Sequence, residues 1–217
     1  GRAGIANEIV QHAYDTGTEL IVMTTHGYGR FKRFWLGSVA DAVIRLCRIP
    51  VLLMRPRDQA RIGLKDEPQF RNILILLDGS SVAESIFDHA FAIGGTAAQY
   101  TLFHALPLMP VYSAEFVMAA AAVNGELRVA QRQSAQATLD QAATRLRQHD
   151  ARLQVRTEVS SDDFAAGAIL DYAEQNHVDL IALTTHGAGG VVRLMLGSVA
   201  DKITRGAEVP VLLYRPA

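Results

Sequence analysis

The sequence predicts an α/β protein built on a doubly wound parallel sheet, and three observations predict it. Short apolar runs alternate with stretches whose apolar positions recur at helical spacing. The runs "VDLIALT", "VPVLLYR", "TELIVMT" and "IPVLLMR" are almost unbroken in apolar residues, as strands covered on both faces by helices are. The chain also repeats itself: a shift of about 160 positions lays 20–56 on 180–216, with roughly 21 of 37 positions identical, a level chance does not reach.

Taken in order, residues 4–16 carry helical spacing, "TELIVMT" is a strand, 25–37 a long loop, the stretch from Ser38 a helix and "IPVLLMR" a second strand. The polar, Pro-bearing segment 57–70, "RDQARIGLKDEPQF", reads as a linker. After it, "NILILLDGSS" is a strand ending in a turn, "VAESIFDHAFAIGG" one helix closed by glycines, and "YTLFHAL" the next strand. Beyond a loop from Pro107 to about Asn124 comes a long helix, 126–148, and then the strand "LQVRTEVS". Residues 164–177 form a helix, "VDLIALT" a strand, 185–197 a loop, the stretch from Ser198 a helix and "VPVLLYR" the last strand. Residues 71–217 thus make a complete five-stranded domain, and 1–56 match only its closing part. The expectation is a tandem protein whose first copy lacks the opening strands and helices.

The loop 185–197 is about a dozen residues long, where strand-to-helix loops usually take about 2–6 and longer ones tend to be functional. It leaves the carboxyl end of a strand, where open parallel sheets bind ligands. Gly187 and Gly197 bracket nine variable residues, Gly190 lies inside, and Ser198 opens a helix. Glycines let backbone amides approach a ligand, and a helix start adds free N–H groups with a partial positive charge of about half a unit. A phosphate chain uses all of these. Ser198 with Asp201, like Ser38 with Asp41, equally fits an S-x-x-D capping box that ties those amides off. His186, like His26, suits loop orientation or a phosphate contact rather than catalysis, because no nucleophile elbow accompanies it. Asp78, closing "LLDGSS" on the domain's first strand, can accept from ribose hydroxyls or an adenine amino group, or simply form the turn into the next helix.

Composition bounds the function. The chain is 49% hydrophobic and 20% charged with net charge −1, which sets aside nucleic acid as a partner, since phosphate backbones are held by a basic excess. The exception is the local cluster Arg30, Lys32, Arg33. Cys47 stands alone in an apolar stretch, and no apolar run reaches about 18 residues, so a cytoplasmic protein with no membrane span is expected. Neither a G-x-x-x-x-G-K-[ST] loop nor metal-ligand spacing occurs.

Taken together, "ILILLDGSSVAE" and "TTHGAGGVVRLMLGSVAD...VPVLLYRP" resemble the universal stress protein family. The resemblance covers nearly all of 71–217 and, in its last part, 4–56. It implies a Rossmann-like sheet of order 3-2-1-4-5 and ATP, alone or with Mg, as the ligand. The nucleotide-binding pattern G-x2-G-x9-G-[ST] falls on Thr184 (a glycine in the pattern), Gly187, Gly197 and Ser198, with the Val199 amide following; Gly27, Gly37 and Ser38 are the first-copy counterparts. It implies that Asp78 contacts the nucleoside and that Ala105 offers backbone to adenine, although Leu76 stands where the family usually has Pro. It also implies pairing of the two copies through their last strands. Bare apolar edges at 50–55 and 210–215 argue for the same pairing, since each would otherwise invite aggregation. Three functions follow: a nucleotide-binding stress or signalling protein, a slow ATPase, or a regulatory or dimerisation module with an empty site, a homodimer being its further assembly.

Overall fold

The computed structural model describes residues 2–24, 36–54, 70–107, 117–162, 164–185 and 196–216. In chain order the elements are α1 (Arg2–Asp15), β1 (Ile21–Thr24), α2 (Ser38–Leu46), β2 (Val51–Met54), β3 (Asn72–Leu76), α3 (Ser81–Glu84) and α4 (Phe87–Gly94). A 3-10 turn at Gly95–Ala97 leads to β4 (Gln99–Pro107), α5 (Val117–Leu146), β5 (Gln154–Asp162), α6 (Ala165–Gln175), β6 (Leu180–Thr184), α7 (Ser198–Gly206) and β7 (Val211–Tyr214).

The strands form one sheet of seven, ordered β1-β2-β7-β6-β3-β4-β5. Neighbours run parallel throughout except β2 and β7, which pair antiparallel with Val51 opposite Leu213, Leu52 opposite Leu212 and Leu53 opposite Val211. Within 71–217 the order is β5-β4-β3-β6-β7, which in that segment's own count is 3-2-1-4-5. The expected five-stranded sheet is therefore extended, because the β2–β7 contact merges both segments into one sheet. All six residues of that contact are buried, so two apolar edges are removed at once.

Strand alternation sorts side chains to two faces. Leu74, Leu76, Phe103, Ile181, Leu183 and Val211 pack with α1, α2, α6 and α7; Ile73, Ile75, Tyr100, Leu102, Leu180 and Leu212 pack beneath α3, α4 and α5. Among the described residues β1 has a strand partner on one side only, and Val22 is 59% exposed where the aligned Ala182 of β6, flanked by β3 and β7, is 0% exposed.

Two expectations are corrected. The single helix over 82–95 is two, because Ser85 turns back on Val82: its amide and its hydroxyl both donate to the Val82 carbonyl, at 3.2 and 2.6 Å, closing a tight turn in place of a continuing helix. The long helix begins at Val117 rather than Glu126, since the alanine-rich run before Asn124 has high helix propensity and carries the helix through Asn124 and Gly125.

At the amino ends of the strands Asp179 ties β6 to β3. Its carboxylate accepts from the Arg71 amide at 2.9 Å and the Asn72 amide at 3.1 Å, and its own amide donates to the Asn72 carbonyl at 2.9 Å. Burial raises its pKa, while those backbone donors and Arg71 oppose the rise. Asp179→Ala removes the acceptor and is expected to cost about 1–3 kcal/mol, read from the urea midpoint, with Asp179→Asn recovering part of it. A midpoint equal to wild type in the alanine variant would show that water replaces the carboxylate. Among the described residues no helix is long and apolar enough to cross a membrane.

Candidate functional site

The sheet's connections reverse at β3, whose neighbours are β4 on one side and β6 on the other. The crest above the carboxyl ends of β3 and β6 is thus the switch point at which such sheets take ligands. Each side of that crest is built locally.

On the β3 side the chain leaves the strand through Leu77, whose amide donates to the Phe103 carbonyl of β4 at 2.9 Å. Asp78 then organises the turn. Its Oδ1 accepts from the Ser80 amide at 3.0 Å and the Ser80 hydroxyl at 2.6 Å, and Gly79 between them takes φ +84, a left-handed conformation that a side chain disfavours. Ser80 in turn caps α3, its Oγ accepting from the Ala83 amide at 3.2 Å. The turn-forming role foreseen for Asp78 is therefore present, and it holds the carboxylate at the crest. Ala105, at the end of the adjacent β4, is half-buried on the opposite face from His104.

On the β6 side the described chain runs through Thr184 and Thr185, both buried, and resumes at Leu196. The two ends are pinned to one another. The Thr185 amide donates to the Tyr214 carbonyl at 2.9 Å, and the Thr185 carbonyl accepts from the Gly197 amide at 2.9 Å. The two ends of the motif's second copy, Thr185 and Gly197, thus meet. Gly197 has an ordinary backbone, φ −57 and ψ 151, so its need for glycine is spatial: a Cβ there would sit 3.2 Å from the Thr185 carbonyl oxygen.

Gly197, and not Ser198, is the N-cap of α7, and it supplies no side-chain cap. The capping box weighed for Ser198 and Asp201 is not formed. Asp201 instead turns along the helix to Arg205, with both carboxylate oxygens 3.0 Å from Nε. The first α7 amide with a backbone acceptor at the helix start is that of Asp201, which donates to the Gly197 carbonyl at 2.8 Å. The amides of Ser198, Val199 and Ala200 precede any intrahelical acceptor, and Ser198 and Val199 stand exposed. The negative charge of Asp201, which would have opposed an anion at this helix end, is compensated by Arg205.

The first copy repeats this arrangement. Gly37 is the N-cap of α2 with no side-chain cap, Ser38 is its first residue, and Asp41 pairs with Arg45 through two 2.9 Å bonds. Arg45 donates to Asp41, which raises the Arg45 pKa, and the field of Asp201 adds to the rise.

Of the residues expected from sequence, the crest brings together Asp78, Ala105, Thr184, Gly197, Ser198 and Val199, while Gly37 and Ser38 sit at the equivalent start of α2. His186, Gly187, Gly190 and Gly27 lie outside the described residues, as do His26, Arg30, Lys32, Arg33 and Arg193. Among the described residues no three His, Cys, Asp or Glu side chains cluster as metal ligands. One residue at this crest was missed: His104 of β4, beneath the Asp78 turn. Its signal was available only through strand order, because nothing local marks it.

The model of the universal stress protein family matches residues 3–55 and 69–215. The chain belongs to that family. This universal stress protein is 26% identical over 201 residues to universal stress protein Rv2005c of Mycobacterium tuberculosis, matching 91% of this chain and spanning 62% of that relative's length. A shorter match, 35% identical over 63 residues, joins it to universal stress protein MJ0531 of Methanocaldococcus jannaschii, covering 29% of this chain and 36% of that one. Among solved structures, a universal stress protein from Archaeoglobus fulgidus superposes with TM-score 0.62 at 21% identity, covering 98% of this chain and 67% of its own. UspA from Lactobacillus plantarum superposes with TM-score 0.59 at 24% identity, covering 69% of this chain and all of its own. These likenesses carry the fold of this universal stress protein.

Proposed function

We propose that this chain binds an adenine nucleotide, ATP, at the crest between β3 and β6, in a cytoplasmic stress-response or signalling role. The observation that supports the reading best is the start of α7: three amides ahead of any intrahelical acceptor, no side-chain cap, and a glycine N-cap fastened to the end of β6 at a spacing that leaves little room for a Cβ. Backbone donors at a helix end with compensated acidic charge suit phosphate oxygens. Asp78, held at the neighbouring strand end, supplies a carboxylate acceptor for ribose hydroxyls, and Ala105 main chain for the adenine edge. In this reading Ser198 and Val199 hold phosphate, His186, Gly187 and Gly190 cover it, and Mg accompanies it as the ion of the phosphate chain. Gly27, Gly37 and Ser38 are the first-copy counterparts of Gly187, Gly197 and Ser198.

A second reading has one observation in its favour. Thr184 occupies the first glycine position of the family's nucleotide pattern and is buried, which suits a module that pairs through β2 and β7 and leaves its crest empty. Calorimetric titration with ATP, preceded by mass spectrometry of nucleotide released from the denatured protein, separates the two. Saturable heat that falls about 10- to 100-fold in affinity in Asp78→Ala is the expected result, the range of one charge-assisted hydrogen bond. Absence of both heat and co-purified nucleotide would leave the empty module. Steady ADP production, lost in Asp78→Ala, would turn the reading to slow hydrolysis.

A further inference from the structure

His104 occupies a position that the nucleotide reading does not use. Alternation along β4 turns it to the same face as Tyr100 and Leu102, toward α5, and away from Phe103 and Ala105. Its Cε1 lies 3.7 Å from the point where a Cβ on Gly79 would stand, and the Thr138 methyl of α5 lies 3.8 Å from the same point. The imidazole therefore lies against the turn Asp78–Gly79–Ser80, which also meets the flank of α5 at Thr138. Its Nδ1 is buried with no hydrogen-bond partner. Burial pushes its pKa below that of an ordinary histidine, and the field of Asp78 opposes the shift.

The surroundings narrow what a proton there could do. From the β3–α3 turn comes Asp78, whose carboxylate already holds Ser80. From α5 comes Thr138, which is uncharged, while Asp140 of the same helix accepts from Gln136 at 2.9 Å and from Thr157 at 3.0 Å. From β5 the register partner is Val159. Among the described residues, Asp78 is the charge that acts on His104.

We propose that His104 is a positioning residue for Asp78, and that protonation of its imidazole draws the carboxylate away from the nucleoside and weakens nucleotide binding at the crest. The proposal rests on the nucleotide reading of Asp78. With a neutral imidazole the Asp78 carboxylate keeps its bonds to the Ser80 amide and hydroxyl. An imidazolium carries an N–H on the buried Nδ1, and the charge that acts on it among the described residues is Asp78, so that donor recruits the Asp78 carboxylate. A carboxylate compensated in that way is a poorer acceptor for ribose hydroxyls. The coupling is reciprocal: if a proton on His104 weakens ATP, ATP must lower the His104 pKa.

The test measures ATP affinity by calorimetry at about pH 8 and about pH 5.5, on either side of the usual histidine range, for the wild type and His104→Gln. The ratio between proteins cancels the titration of ATP itself. A parallel imidazole NMR titration of the wild type follows His104 with and without ATP, and again in Asp78→Asn. Expected are an affinity loss on acidification about three- to fivefold larger in wild type than in His104→Gln, and a His104 pKa about one unit lower with ATP bound. Equal losses in both proteins, with a His104 titration indifferent to ATP, overturn the proposal. If wild type binds no ATP at about pH 8, the nucleotide reading has failed on its own account. The Asp78→Asn titration still decides the coupling: a fall in the His104 pKa upholds it, and an unchanged value removes it.

Discussion

Gly94→Ala is expected to destabilise the chain by about 2–4 kcal/mol, a large share of the roughly 5–15 kcal/mol that holds a typical domain together. The backbone at Gly94 is ordinary right-handed helix, φ −90 and ψ −28, so conformational freedom is not the reason for a glycine there. Space is. An added Cβ would meet Ile73 Cδ1 inside van der Waals contact, the Tyr100 hydroxyl at 2.7 Å and Ala98 Cβ at 2.9 Å. None of the three yields easily. Ile73 is fully buried in β3, the strand flanked by β4 and β6. Tyr100 is fully buried in β4, its hydroxyl donates to the Gly95 carbonyl at 2.7 Å, and burial pushes its pKa to about 12, so it acts as a neutral donor fixed in place. Moving α4 off the sheet to admit the methyl breaks that bond and opens the core beneath. Overpacking of this kind costs about 1–3 kcal/mol, and the lost hydrogen bond about 1 kcal/mol more. Gly167→Ala supplies the control. It lies inside α6 with only an ordinary 3.6 Å contact to Phe164 Cβ, so alanine there is expected to stabilise by about 0.5–1 kcal/mol. Urea denaturation of both variants checks the pair, and a Gly94→Ala midpoint within error of wild type would refute the packing argument.

What the sequence made legible follows from the range of the forces involved. The strands β2, β6 and β7 were readable because burial on both faces writes itself as a continuous apolar run, β1 because its sequence repeats that of β6 even though Val22 stays exposed, and the pairing of β2 with β7 because two such runs would otherwise be open edges. The split between α3 and α4 was not readable. The pattern from Val82 to Gly95 keeps helical spacing throughout, and only the geometry of the Ser85 hydroxyl on the Val82 carbonyl shows where the helix stops. Ser198 and Asp201 satisfy a capping motif in sequence, yet the helix starts one residue earlier in register, at Gly197, and frees Asp201 for Arg205. A motif of that kind states what the side chains could do, and the competing i, i+4 ion pair decides what they do. Asp78 was legible because it closes a strand. His104 was not, because its significance depends on β4 lying beside β3, a relation about 26 residues removed along the chain. The tie between Thr185 and Gly197 was half legible: the fixed ends of the repeated motif were plain, and the hydrogen bond that fixes them was not.

Gly197→Val is expected to lower nucleotide affinity more than 100-fold while leaving the circular dichroism spectrum of the chain unchanged. The argument turns on where the cost falls. A Cβ at this position already lies 3.2 Å from the Thr185 carbonyl oxygen, and valine adds two methyls on a branched carbon with little rotamer freedom. Relief comes by lengthening the 2.9 Å bond from the Gly197 amide to that oxygen, which rotates the first turn of α7 away from the crest. The rest of α7 keeps its anchors, because Ala200, Ile203 and Thr204 are buried below and the Asp201–Arg205 pair is internal to the helix. The fold therefore loses about one hydrogen bond, on the order of 1 kcal/mol. A phosphate chain loses the aim of several amides together, each worth about 1.5–3 kcal/mol when the acceptor is charged. Ser198→Ala separates side chain from main chain: it removes one hydroxyl and keeps the turn, so a loss of no more than about tenfold is expected. Calorimetry on the two variants reads the difference directly. Affinity retained in Gly197→Val, or lost equally in Ser198→Ala, would mean that the phosphates are held by something other than the opening amides of α7.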